Sequence, residues 1–421
     1  MKKFKTILKD KSLRNRILFV LGALVAFRLL AAVPIPGIDN LRLNQVLDSN
    51  QFIGFLDVFS GGGLSNLSLV MLGVGPYITA SIIMQLLTVM VPRLKALYSE
   101  EGEAGRKKFS QYSRIITVPL AFIQGYGLLA LFQKQGVFGD IGGGAMLFNV
   151  LIIVAGAVFL MWLGELVSEF GIGNGVSLII FAGIVARLPR AVGQLAFAYN
   201  PSDLPTYIAF ALVALIVIAG VVFITEAERP IPITYAREAR GGRTAFGGVH
   251  TYLPMRMNQA GVMPIIFALS ILLIPQLAGN ILSTISTNPT ILKIAETLAG
   301  WQQTSPTYIA IYFIGVFFFT YFYTAITFDP ESMSSNLQKN GAFIPGIRPG
   351  AATEEYVGKV LTRVTFVGAL FLGFIAILPI ILQSITGIAS LAIGGTALLI
   401  VVNVITDLMK KIDAQVTMRE Y

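Results

Sequence analysis

The sequence predicts an all-α polytopic membrane protein with about ten transmembrane helices. Three observations carry this. Of 421 residues, 55% are hydrophobic and 13% charged, with a mean hydropathy of +0.75, whereas a soluble domain carries roughly a quarter charged residues. Apolar runs of about 20 residues, the length that crosses a bilayer, recur along the chain. The 31 Lys and Arg residues cluster between those runs, mostly on one side.

The N-terminus, MKKFKTILKDKSLRNR, is basic and enters an apolar stretch with no small-residue cleavage site, so a retained first span is expected. Apolar segments of spanning length lie at about 17–34, 68–91, 115–132, 146–164, 175–189, 206–225, 259–278, 307–328, 360–381 and 390–407. The second is interrupted by Gly73, Gly75 and Pro76, and the seventh by Gly261 and Pro264. Such breaks are tolerated at membrane depth only where neighbouring helices or a watery cavity satisfy the backbone. Interrupted second members in two sets of five point to an inverted repeat around a central pathway. The halves are then 1–190 and 191–421.

With the N-terminus inside, 25 of the 31 basic residues fall on the N-terminus, the even-numbered loops and the C-terminal tail. Arg42, Lys134, Arg187, Arg190 and Lys293 fall on the other side, and Arg28 lies in the first segment, close enough to its end to snorkel. Lys and Arg accumulate in cytoplasmic loops, so both termini are cytoplasmic and the net charge of +9 is topogenic. Two inside loops, at about 226–258 and 329–359, are longer than a turn requires. Their Pro, Gly and Arg content and the alternating IPITYA predict a short strand or hairpin and a docking surface. On the opposite side, FLDVFSGGGLSNLSL at 55–69 is too polar to span and too apolar to be a free linker. A half-helix folded back into the bundle suits it.

Catalytic chemistry finds little material. There is no cysteine, His250 is the one histidine, and neither an HExxH nor a GxSxG pattern occurs. GIGNG at 171–175 and GGGLS lack the lysine of a phosphate-binding loop. No catalytic residue, metal site or cofactor is expected, and any energy the chain uses must come from a partner.

Six motifs, PIPGID at 34–39, FSGG at 59–62, GVGPYITASIIMQLL at 73–87, EGEAGRKKFSQYSR at 101–114, MWLGELVSEFGIGNGVSLIIFAGI at 161–184 and GAFIPGIRPG at 341–350, follow one another in register. In that order and spacing the chain resembles the SecY family, the channel subunits of the bacterial Sec translocase. The resemblance implies ten transmembrane helices in two pseudo-symmetric inverted halves of five, with a re-entrant plug helix over about 57–69. It implies a channel that moves unfolded secretory polypeptides across the bacterial cytoplasmic (inner) membrane and releases transmembrane helices sideways into it. By position, the pore ring falls on Ile78, Ile82, Ile180, Ile184, Ile266 and Ile400. The plug falls on Ser60, Gly61, Gly62, Gly63, Leu64, Ser65 and Asn66. Gln124 and Asn258 match polar positions of a lateral gate, whose third position is the apolar Ile83. Arg243, Arg256 and Arg348 match loop positions that contact delivery partners, Arg256 standing where the pattern has lysine. The implied partners are the small membrane subunits SecE and SecG, the SecA motor ATPase, the ribosome, signal peptides and nascent chains, and membrane lipids.

The residues supply one independent check. Ile78/Ile82 and Ile180/Ile184 are spaced i,i+4, so each pair stands on one helix face. Branched alkyl groups give passing ions no coordinating oxygen, and a narrow apolar constriction dewets. An inverted-repeat secondary transporter of a small solute is the competing class, since the helix count permits it. Transporters place ionisable groups near the midplane, whereas Asp57, Glu165, Glu226, Asp329 and Asp407 stand at segment ends. That placement disfavours ion coupling.

Overall fold

The structure, a computed structural model, describes residues 10–36, 42–43, 57, 60–99, 101–138, 142–197, 204–235, 250–285, 288–299, 305–386 and 389–420. Among them are α1 (Lys11–Ala31), α2 (Gly75–Met90), α3 (Pro92–Ser99), α4 (Gly102–Lys134), α5 (Gly143–Phe170), α6 (Gly175–Phe197) and α7 (Leu204–Glu226). Strands β1 (Glu228–Tyr235) and β2 (His250–Arg256) follow, then α8 (Met263–Ile285), α9 (Pro289–Ala299), α10 (Pro306–Thr327) and α11 (Pro330–Lys339). The chain closes with β3 (Ala342–Phe343), α12 (Ala351–Thr386) and α13 (Ala389–Glu420).

Four helical stretches among the described residues, 102–134, 143–170, 306–339 and 351–385, are long and apolar enough to cross a bilayer. The bent pair Gly75–Met90 and Pro92–Tyr98, at 115°, makes a fifth candidate. Shorter apolar helices cover Gly175–Arg187, Ala211–Glu226 and Met263–Gln276. A mostly helical, apolar chain is therefore observed as expected. The basic stretch 92–114, expected as a loop, is instead the short helix α3 and the first turns of α4. At 33 residues α4 is about 50 Å long at 1.5 Å per residue, well beyond a ~30 Å hydrocarbon core.

The predicted interruptions prove to be helix starts. Gly73 and Gly261 have φ of +59° and +61°, and the helices begin two residues later at Gly75 and Met263. Proline follows at once in both, as Pro76 and Pro264, where its missing N–H costs nothing because the first helical amides lack partners anyway. The same G-V-x-P sentence thus opens both helices.

The chain divides into two compact units, one comprising Met1–Ala214, Leu269–Ile309 and Pro379–Tyr421, the other Leu215–Ala268 and Ala310–Leu378. In the first, α4 packs on α2, α3 and α5, and α5 packs also on α1 and α6. Its main core joins Ala121, Leu128 and Phe132 of α4 to Val150, Ile153 and Ala157 of α5. A smaller cluster of Leu13, Ile172 and Val416 ties α1 to α13.

In the second unit β1 is the middle of a three-stranded antiparallel sheet ordered β2-β1-β3, so the hairpin expected from IPITYA is present. Pro230 faces Pro254 in the register; neither has an N–H, so the ladder must bond through the alternate residues. β3 joins only at Thr234 and Tyr235, past the prolines. Ile231, Met255, Ile344, Val357, Val360, Leu361 and Val364 form the core beneath. Asp329 caps α11 by accepting from the Glu331 amide at 3.1 Å, with Pro330 at its first turn. The loop between β3 and α12 is pinned twice: Ser334 Oγ donates to the Gly350 carbonyl at 2.7 Å, and Thr353 Oγ1 to the Arg348 carbonyl at 2.9 Å.

Those two bonds predict that Ser334→Ala and Thr353→Ala each cost about 1 kcal/mol locally, the usual net worth of a hydrogen bond. Limited proteolysis should then cut residues 341–350 several times faster in the double variant, with thermal unfolding of the whole chain nearly unchanged.

Candidate functional site

Residues 60–74 precede α2 and, where the resemblance implies a plug helix, residues 61–69 run as turns. Three successive glycines and four serine or asparagine side chains explain the difference. Gly61 and Gly62 take φ of +69° and +84°, which breaks any helix at its start, and the polar side chains bond the backbone that a helix would have satisfied. Ser60 Oγ accepts from the Leu64 amide at 3.0 Å, Ser68 Oγ donates to the Gly63 carbonyl at 2.9 Å, and the Ser68 amide donates to the same carbonyl at 2.9 Å. At its exit the segment forms a bridge with residues 33–35, the Ile35 amide donating to Leu67 at 2.9 Å and the Leu69 amide to Val33 at 3.0 Å.

The segment has two faces. Leu64, Leu67, Met71 and Leu72 enter the core shared by α4 and α5. The other face is polar and centres on Asp57, whose side chain is fully buried. Arg187 Nη2 of α6 stands 2.6 Å from its Oδ2. Ser60 Oγ and the Ser65 amide donate to Oδ1 at 3.1 and 2.9 Å, and Ser65 Oγ also bonds Oδ2. From α1, Arg28 Nη1 donates to the Gly61 carbonyl at 3.0 Å. Arg28 therefore does not snorkel; it reaches the segment.

Two helices meet this backbone through glycine. A methyl at Gly183 of α6 would overlap the Gly61 Cα, and one at Gly156 of α5 would overlap the Leu69 carbonyl. Gly183 lies between Ile180 and Ile184, so the stretch that touches the segment carries two of the isoleucines that the resemblance assigns to a ring.

Ile78 and Ile82 on α2, Ile180 and Ile184 on α6, and Ile400 on α13 belong to the first unit; Ile266 belongs to the second. All six are buried, at 1–5% exposure. Within the first unit α6 and α13 pack together, which brings the elements bearing Ile180, Ile184 and Ile400 side by side.

Gln124, on α4, is half-buried. Asn258, in the second unit, is buried; its Nδ2 donates to the Gly261 carbonyl at 3.2 Å, and its Oδ1 has no hydrogen-bond partner. Arg256 and Arg348 are exposed on the sheet-bearing unit, and Arg243 lies outside the described residues. The sequence reading missed the Asp57–Arg187–Arg28 cluster. Its visible signals were Arg28 and Arg187, charges lying within the apolar segments 17–34 and 175–189.

The SecY family model matches residues 68–409. The chain belongs to the SecY family. It is 42% identical to the protein translocase subunit SecY of Synechocystis sp. over 99% of this chain and 95% of that protein. It is 41% identical to the SecY of Halalkalibacterium halodurans over 99% and 97%. Among solved structures it is similar to one described as a protein conducting channel, with TM-score 0.65, 20% identity, and coverage of 97% and 93%. A second, with TM-score 0.67, 20% identity and the same coverage, concerns the plug domain of the SecY protein, said to stabilise the closed state of its channel and maintain a membrane seal. Sec61 in the canine ribosome–channel complex is similar at TM-score 0.62 and 19% identity, over 97% and 93%.

Because Gly156 admits no side chain against Leu69, Gly156→Leu is expected to push residues 67–70 off α5. Overpacking of this kind costs about 1–3 kcal/mol, measurable as a lower unfolding temperature of the detergent-solubilised chain.

Proposed function

We propose that the chain is the central channel subunit of a Sec translocon, passing unfolded secretory polypeptides across a membrane. The carrying observation is the closing segment: non-helical backbone tucked against the α6 turn that bears Ile180 and Ile184, in a chain of the SecY family. We assign Ile78, Ile82, Ile180, Ile184, Ile266 and Ile400 to an apolar pore ring, in keeping with their uniform burial. Residues 60–66 act as the plug, in keeping with the seal attributed to the plug domain of the similar channel.

The finer features rest on the same reading. Ten spans in two inverted halves, 1–190 and 191–421, are supported by the shared G-V-x-P openings of α2 and α8. Cytoplasmic termini and a bacterial inner-membrane location are supported by the charge asymmetry and by the bacterial relatives. We assign lateral release of transmembrane helices to Gln124 and Asn258, the latter buried with an unsatisfied amide oxygen. Arg256 and Arg348, exposed on a pinned platform, with Arg243 from the same loop, offer guanidinium groups to the carboxylates or phosphates of the ribosome or the SecA motor. SecE and SecG complete the assembly.

The chain has no cysteine, so Ile82→Cys can be paired with one cysteine in a stalled secretory polypeptide. A disulfide between them is expected. Its absence, together with ion-coupled uptake of a small solute, would overturn the channel reading.

A further inference from the structure

We propose that Asp57, Arg187 and Arg28 form a polar latch that holds the closing segment shut, and that these residues set the resting tightness of the channel. The inference rests on the reading of residues 60–66 as the plug.

The latch differs from the rest of the segment's packing. The apolar face, through Leu64 and Leu67, lies in the α4/α5 core. The polar face is bonded to two other helices, α6 through Arg187 and α1 through Arg28. Arg187 is placed to serve both ends of the turn, since its Nη2 also lies 3.4 Å from Ser65 Oγ. Its aliphatic stem covers Gly62: a Cβ there would meet Arg187 Cγ and Cδ at 3.7 Å and Arg28 Nη1 at 3.6 Å. The Arg28 guanidinium and the Arg187 stem therefore both close over Gly62. Arg28 also stands 5.8 Å from the Phe27 ring centroid, and a methyl at Gly61 would run into that ring. Phe27 itself is fully buried.

A fully buried carboxylate is tolerated only when its charge and lone pairs are met. Asp57 meets this condition in one arrangement of residues 60–65 alone, because three of its partners, Ser60 Oγ, Ser65 N and Ser65 Oγ, belong to the segment itself. Moving the segment breaks the serine bonds and the arginine pair together. The closed arrangement is thus cooperative, and removing either end of the ion pair removes the same device.

The test uses the full chain in phospholipid vesicles, with halide leak read from quenching of an entrapped dye. Asp57→Asn keeps the shape but loses the charge, and its resting leak should rise about tenfold, the change in open population expected when one charge-assisted contact of the closed state is lost. Arg187→Gln should behave alike, and the double variant should leak no more than either single one, because both break one pair. Arg187→Lys should recover part of the seal. Gly183→Ala, which displaces Gly61 by overlap alone, serves as the control for closure. A tight Asp57→Asn beside a leaky Gly183→Ala would overturn the latch and leave the plug reading standing. If both are tight, the plug reading falls and the latch with it. Additive leaks in the double variant would also overturn the latch. Should Asp57→Asn fail to accumulate, the half-exposed Arg187→Gln decides: a tight channel overturns the proposal.

Discussion

Inside a membrane, a backbone amide or carbonyl that leaves a helix has no water to turn to, and each one left unpaired costs several kcal/mol. Residues 61–74 run as turns with one bridge at the head of α2, so this constraint governs everything placed around them. It is met with short side chains that fold back on their own backbone: Ser60 on Leu64, and Ser68 on Gly63. It is met again with a bridge to residues 33–35 and with Arg28 on the Gly61 carbonyl. The surrounding helices answer with glycine. Gly183 and Gly156 stand where α6 and α5 touch the segment's backbone, and at neither position is there room for a methyl. Helices bearing larger residues there would stand off, leaving the turns to face space they cannot fill.

Two unequal kinds of stabilisation follow. Leu64 and Leu67 contribute close packing against α4 and α5, but that contribution is indifferent to small rotations, since a leucine packs acceptably in many poses. The Asp57 cluster is the reverse. An ion pair removed from water gains little net energy, because desolvation offsets most of the attraction, yet its bonds exist in only one geometry. The apolar face therefore supplies adhesion, while the polar face selects which of the adhesive poses is occupied. The sheet-bearing unit shows the same division on a smaller scale. Its apolar cluster holds α12 beneath the strands, while Ser334 and Thr353 fix the course of the loop that exposes Arg348.

The helices were legible because their signals are local. Apolar runs act within a few residues, and so does the IPITYA alternation that became β1, whereas the G-V-x-P openings were legible only as interruptions. What was lost acts at a distance. Asp57 and Arg187 read separately as a segment-end charge and an outer-side cation, and nothing in composition pairs them across the intervening helices. Of the segment the resemblance implies as a plug helix, Asp57 and Ser60 are helical, but the helix does not continue through residues 61–69. What prevents it is the pair of glycines at positive φ, locked by contacts from α1 and α6 that the sequence does not announce. The basic stretch 92–114 failed for another reason: charge marks solvent, and solvent was equated with loop, whereas a helix longer than the bilayer carries its charges on the turns that project.

The polar make-up of the latch also explains how a closed state can be both tight and releasable. While water is kept from the segment, breaking the Asp57 contacts means exposing a bare carboxylate and a bare guanidinium to apolar surroundings, at several kcal/mol per ion. Once water enters, the same contacts are exchanged for hydration, and a hydrogen bond's net worth drops to about 1 kcal/mol. The strength of the latch is thus set by whether its surroundings are wet. An apolar plug has no such dependence, because water strengthens rather than weakens apolar contact. A polypeptide that admits water to the segment would therefore weaken the latch without touching it. Its departure would restore both the dry surroundings and the full cost of breaking the pair.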